Sequence, residues 1–424
     1  MGYDDSLMTE RRHPTRRELD AVSLDRPILA FHVSGHLATL NTKALEITGL
    51  LHPGKDPPAG VVRREADGIT AAGVVEEGAV FAAVQKIPSA PLDSQIKWLI
   101  DAQRLYAANG ITTAQDGATT PDGWALLKAA AANRSLFLDV HALPLAAMKW
   151  DNLAALPFNA PYRNHLRVAG IKIIADGSPQ GRTAWLSHPY HDPPTGSDRS
   201  YAGYRQIRDD VLRATLENAA AKGWQAYVHV NGDAAIQQLI DNVRTINLSG
   251  GKKLARTIAI HAQTARYDQL QQMKALDIEP TFFAAHTYFW GDWYRETVLG
   301  SERADNISPQ RAAFDVGLHP SIHNDAPVVP PDMMRLIWSA VTRRTRSGDI
   351  LGPAQRVSIY EALEEVTRNA AYQIHEENMK GTIEPGKTAD STILNSDPMG
   401  VMENEILNIK IEYIVKNGRV ISVR

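Results

Sequence analysis

The 424-residue sequence has no cysteine. Disulfides, thiolate metal sites and cysteine nucleophiles are therefore excluded, and a cytoplasmic location is the expectation. Charge of neither sign dominates: 45 Lys and Arg against 48 Asp and Glu leave a formal net charge of −3. The two signs are well mixed, so nothing favours a nucleic-acid or membrane-surface partner. No run is apolar and long enough to span a bilayer. The opening residues, MGYDDSLMTERRHPTRRELD, are polar and charged and lack the apolar middle of a secretory signal. The Met-Gly start is followed by no basic patch or second anchor, so myristoylation is not expected. No repeat of fixed period and no low-complexity segment is visible.

What is present is 44% apolar residues, enough for one large barrel plus an appendage. From about residue 100, short β-rich apolar runs alternate with amphipathic helices. The runs are 110–116, 136–143, 167–177, 224–232, 257–263, 279–286 and 318–325. The helix over 208–223 ends in Gly223, a good C-cap. The next opens at Asp233, the expected N-cap, and the one over 358–374 opens at Ser358, with Glu361 completing a capping box. Apolar strands alternating with helices imply an α/β fold with a parallel, helix-covered sheet. Seven strands are visible where a closed (β/α)8 TIM-like barrel needs eight. The first ninety residues read as an excursion rich in turns, with RPILAFHV as its best strand. The tail has short alternating strands and a hairpin signal at Asn417-Gly418.

Active sites of α/β barrels sit at the carboxyl ends of the strands. The polar residues that end the apolar runs are Asp116, Lys172 with Asp176, His229, His261, His286, and His323 with Asp325. One histidine there is usually a hydrogen-bonded core residue; several at one level call for a shared role. A strand-end lysine needs a counter-charge or a chemical task. Histidines and carboxylates on separate strands suit Zn²⁺ or another divalent transition metal, which makes hydroxide available near neutral pH. Asp325 could take the proton and later deliver it to a leaving amine. Asp233 reads as a helix cap rather than a catalytic group.

Further candidates are for substrate. His323 lies two residues before Asp325 and shares its face of a strand. His286 and Trp290 belong to an aromatic loop, HTYFWGDWYRE, that suits a pocket wall. Arg182, in a glycine-containing loop without a phosphate-binding pattern, could hold a carboxylate or pin the loop. His36 is expected to reach the pocket from the early excursion. His32 and His36 have i, i+4 spacing, but their segment does not read as a barrel strand.

At these residues the chain resembles the amidohydrolase superfamily, in the branch similar to N-substituted formamide deformylases (metal-dependent amidohydrolase family 3). The stretches that carry the resemblance run along the whole chain: RHPTRRELD, SGHLATLNTKAL, DGITAAGVVEEGA, GITTAQDG, GIKIIADGS, GRTAWL, VHVNGDAA, IHAQ, LGSERA, NDAPV, TRNAAYQ and GTIEPGKTADSTIL. The resemblance implies a distorted (β/α)8 barrel over 91–378, a long insertion over 1–90 and a small C-terminal β-sandwich portion over 379–424. It implies hydrolysis of a C–N bond in an amide or formamide-like small molecule. Lys172 matches a strand-four lysine that is often carbamylated by CO₂. His229 and His261 match metal ligands of strands five and six, and Asp325 the strand-eight aspartate that binds metal and handles the proton.

Two departures matter. The family ends its first barrel strand in H-x-H, and this chain has no such triplet. The first strand is thus expected to be missing, with two metal ligands and part of the sandwich. TADSTIL also replaces an apolar run, which weakens a sandwich strand. The expectation is one well-held metal rather than two, most simply Zn, with Fe, Mn or Ni suited to the same ligands. Activity of this chain alone should be impaired. The alternative is a non-catalytic remnant or small-molecule-binding protein that keeps the pocket. An open barrel exposes strand edges, so a homo-oligomer is a further expectation.

Overall fold

The computed structural model describes residues 2–57, 60–194, 196–254 and 256–422. Residues 58–59, inside the expected insertion, and 423–424, at the end of the expected sandwich portion, lie outside the described residues. The chain forms two compact units: Met1–Ala90 with Gly177–Ala184, and Pro91–Asp176 with Trp185–Arg424.

In the first unit, alternating apolar residues build an antiparallel sheet from β1 (Leu29–Phe31), β2 (Leu37–Leu40), β3 (Gly60–Arg64) and β4 (Ala71–Glu77), in the order β1-β2-β4-β3. Leu40, Leu45, Leu50, Val75 and Val80 form its core. Asn41 caps the helix Thr42–Thr48, which Gly49 ends in a left-handed conformation. His32 and His36 flank the turn between β1 and β2, so their four-residue spacing is not helical.

The second unit carries the strand–helix alternation. Its strands are β5 (Thr113–Thr119), β6 (Asp139–Pro144), β7 (Leu166–Val168), β8 (Gly170–Ile174), β9 (Gln225–Val230), β10 (Thr257–His261), β11 (Ile278–Phe282) and β12 (Ser321–Ile322). All pair in parallel. Ile171, Ile173, Val228, Val230 and Ala259 pack against Leu212, Leu216, Ile236, Leu239 and Leu270 from the covering helices. The closed barrel is not what forms. Among the described residues the strands make two sheets, β5-β6-β7 and β8-β9-β10-β11-β12. Closure needs every strand paired on both sides, and β5 and β12 are both sheet edges. The stretch 167–177 is also broken at Ala169, whose N–H bonds the Ala142 carbonyl at 3.1 Å.

Among the described residues the tail is one three-stranded antiparallel sheet, with β13 (Ser391–Leu394), β14 (Ile411–Lys416) and β15 (Arg419–Ser422) in order β13-β14-β15. Its Ile414 packs on Ala107 and Leu138. The hairpin turn falls at Asn417-Gly418, both with positive φ (51° and 75°), as a two-residue turn demands.

Candidate metal centre

Three imidazoles meet at the ends of the five-stranded sheet. His229 is next to last in β9 and His261 is last in β10, and their ring centroids are 4.5 Å apart. His323, just after β12, stands 4.8 Å from His261 on its other side. Strand alternation alone would not bring these together. His261 shares parity with Ala259, which packs under the helices. Left-handed backbone at His261 (φ 72°) and Ala262 (φ 42°) breaks that alternation and turns the ring toward His229. Such strain in non-glycine residues is found where a site over-determines the backbone.

Hydrogen bonds orient each ring. The His323 Nε2 lies 2.9 Å from His261 Nδ1, and His323 Nδ1 lies 3.0 Å from Thr281 Oγ1. Asn231 Nδ2 lies 3.3 Å from His229 Nε2, and Asp176 Oδ1 lies 3.3 Å from His229 Nδ1. Asp176 also accepts from the backbone of Asn231 (2.9 Å), Gly232 (2.7 Å) and Trp185 (3.0 Å), fixing the turn after β9. Asp233 is not the cap expected of it. Gly232 takes the N-cap position, and the Asp233 carboxylate binds Ser187 and Arg266 instead.

Electrostatics keep the His261 and His323 rings neutral. Burial, then the neighbouring cationic forms of His229, His323 and Lys172, hold His261 far below the usual histidine range. Burial and Lys172 take His323 down to about 3. Neutral imidazole is the ligating form, and with Nδ1 of His261 engaged by His323, its Nε2 remains for a metal. Lys172, in β8, is 6% exposed. Desolvation pulls its pKa down to about 8 against the Asp325 carboxylate, which pushes it up. Asp325 itself is exposed, in a left-handed conformation (φ 53°) after β12.

Other expected residues fall elsewhere. His286 and Trp290 share the helix His286–Trp293 and are buried against each other and Phe283. The His286 Nδ1 is hydrogen-bonded to the Tyr294 hydroxyl. Asp116, on β5, accepts from Thr119 Oγ1 at 2.7 Å. His36 and Arg182 belong to the first unit, where Glu77 Oε2 lies 2.8 Å from His36 Nδ1. A cavity of about 550 Å³ lies at the opposite end of β6, lined by Arg134, Asp139, Tyr162, His165, Lys380 and Arg419. Its buried charges are committed to structure, Asp139 pairing with Lys380 (2.5 Å) and Lys416 (2.6 Å). The sequence reading overlooked Thr281 and Tyr294 as ring partners. It also overlooked a group in the first unit, Asp5, His13 and His32, whose ligand atoms all lie within 4.8 Å of one another. Among the described residues that spacing is met there and not by His229, His261 and Asp325.

Residues 1–422 match the amidohydrolase family. The chain belongs to this family. It is 26% identical to a putative amidohydrolase, YtcJ, of Bacillus subtilis, across 99% of this chain and 78% of that protein. It is 22% identical to an N-substituted formamide deformylase of Arthrobacter pascens, across 97% of this chain and 76% of the relative. Among solved structures, an uncharacterized metal-dependent hydrolase from Pyrococcus horikoshii superposes with a TM-score of 0.74 at 25% identity, covering 95% of this chain and 77% of that one. Its counterpart from Pyrococcus furiosus gives 0.70 at 25% identity, covering 94% and 77%. These relatives support hydrolase chemistry with a divalent metal on a TIM-barrel-like α/β fold. No helix among the described residues is long and apolar enough to cross a membrane.

Proposed function

We propose that this amidohydrolase hydrolyses a C–N bond in a small amide or formamide-like substrate, with one divalent metal, Zn by preference, at the second unit's strand ends. The observation that carries the reading is the contact of His229 with His261, two buried imidazoles on adjacent strands, each held by a further side chain. The donor set fits such a metal: two imidazoles, and a buried lysine able to supply an anion. A cation bound there would supply Lewis acidity that makes water nucleophilic near neutral pH.

The chain's own groups take the remaining tasks. Lys172 in its neutral form attacks CO₂ through its amine lone pair and loses one proton, giving a carbamate anion that completes the ligand set. Asp325 accepts the proton of the attacking water and returns it to the departing amine. His323 fixes His261.

The test is hydrolysis of N-substituted formamides and simple anilides by the metal-depleted chain, with and without added zinc. Zinc-dependent turnover that His229→Ala and His261→Ala both abolish supports the reading. Stoichiometric zinc binding at these histidines without turnover of any amide would leave a binding protein in its place.

A further inference from the structure

The barrel chemistry makes no use of the buried polar cluster in the first unit. Asp5 (2% exposed) lies in the single turn Asp5–Leu7, His13 (9%) precedes the helix Arg16–Asp20, and His32 (1%) follows β1. Three segments thus deliver one carboxylate and two imidazoles to one point, with ligand atoms within 4.8 Å.

The arrangement is more than a satisfied hydrogen-bond cluster. Asp5 Oδ1 and His32 Nε2 are 2.9 Å apart, but Asp5 Oδ2 and His13 Nε2 face each other at 4.0 Å, beyond hydrogen-bond reach. The far nitrogen of each ring is held by a hydroxyl. Tyr3 Oη lies 3.0 Å from His13 Nδ1 and Ser34 Oγ lies 2.8 Å from His32 Nδ1. Tyr3 Oη is in turn 3.1 Å from Thr39 Oγ1 on β2. Metal-binding histidines are oriented in this way, through the nitrogen that does not ligate. Burial keeps His13 neutral, its pKa drawn down to about 3 although Asp5 pulls the other way. Of the cations in range, Arg63 is paired with Glu76 at 2.6 Å, while Arg182 acts on Asp5 and competes for its charge.

We propose that Asp5, His13 and His32 form a zinc site built wholly from the first unit. Zinc would take the Nε2 lone pairs of both rings and a carboxylate oxygen, with water in the fourth position, at bond lengths of about 2.0–2.2 Å. His32 then carries its proton on Nδ1 and donates it to Ser34 Oγ. The bond given up is the Ser34 backbone N–H to His32 Nδ1, at 3.2 Å. The ion ties the segment before the first helix to β1. In a chain without cysteine, a metal is the cross-link still available.

The experiment uses the full chain carrying His229→Ala and His261→Ala, metal-depleted and titrated with zinc alone against a chromophoric chelator. The expected result is one zinc bound per chain. Adding His13→Ala or His13→Gln should weaken that binding at least about 100-fold, since a lost ligand costs more than a lost orienting partner. Circular dichroism checks that each variant is folded. No zinc bound in the parent variant, or zinc bound equally tightly after either His13 change, overturns the site. In zinc-soaked crystals of the unaltered chain, anomalous scattering at the zinc edge should peak between Asp5, His13 and His32. Absence of that peak overturns the proposal whether or not the variants fold. Both histidine ligands of the strand-end centre are absent from the titrated protein, so the titration does not rest on that centre's chemistry.

Discussion

His323 Nε2 sits 2.9 Å from His261 Nδ1, and this contact settles which nitrogen of His261 is left for a metal. His323 is itself held through Thr281 Oγ1 at 3.0 Å, so a chain of three side chains from β10, β11 and the end of β12 sets one ring. In this geometry His323 holds the His261 ring in place.

Replacing His323 with Ala should therefore weaken zinc binding at the strand ends by about 10–100-fold while the fold survives. Titration in a His13→Gln background isolates that centre. Unchanged affinity would show that His261 needs no such support.

Gly232→Ala should cost about 3 kcal/mol of stability, at the upper end for overpacking. A Cβ there would stand 1.8 Å from the Trp185 carbonyl oxygen, a backbone atom that cannot swing aside. The neighbouring turn would shift with it, because Asp176 binds both Trp185 and Gly232 through their N–H groups. Gly117→Ala is the control, since a Cβ there meets nothing within 4 Å. Equal urea midpoints for the two variants would refute the argument.

Acid should unfold the second unit in a window set by Glu376. Burial pushes this carboxyl up, but the hydrogen bond and charge of His141, the charge of Lys380 and the bond from Arg167 outweigh it and bring it to about 2. Arg167 and Lys380 lie 2.7 Å and 3.2 Å from it. A depressed acid stabilises the fold above its unfolded pKa, near 4.5, and loses that contribution as the pH falls toward about 2. Thermal midpoints of the unaltered chain should drop across that range. Glu376→Gln should be less stable at pH 6 and flatter below pH 4.5; parallel curves for the two proteins would reject Glu376 as the source.

Periodicity and caps made much of this legible in sequence. The strand–helix alternation, the Ser358–Glu361 capping box, the Gly223 terminus and the Asn417-Gly418 turn all depend on local chemistry, and all form. His229 stood out because an imidazole ending an apolar strand needs a reason. What failed was non-local. The split of the strands into two sheets between β7 and β8 depends on pairing, not pattern. Asp233 has the chemistry of a cap, but Arg266 and Ser187, distant in sequence, claim its carboxylate. Asp5, His13 and His32 have no common spacing, and three separate segments must fold before they meet.

Lys172 gives a test that does not need a known substrate. Its amine is destabilised as a cation by burial, which lowers its pKa from 10.5 to about 8 despite Asp325. Below about pH 8 the folded chain bears the full cost of a desolvated charge. Between pH 8 and 10.5 the folded lysine is neutral while the unfolded one still binds a proton, so stability should rise with pH there. Lys172→Met keeps the apolar stem and removes the amine. In CO₂-free buffer at pH 7 it should be more stable than the parent by roughly 1–3 kcal/mol, and its stability should not rise above pH 8. Residues kept at such a cost are usually kept for chemistry, so the same variant should lower zinc-dependent amide hydrolysis at least about 100-fold. A Lys172→Met chain that is less stable than the parent at pH 7 would mean that the buried amine is a structural partner and not a reserved ligand.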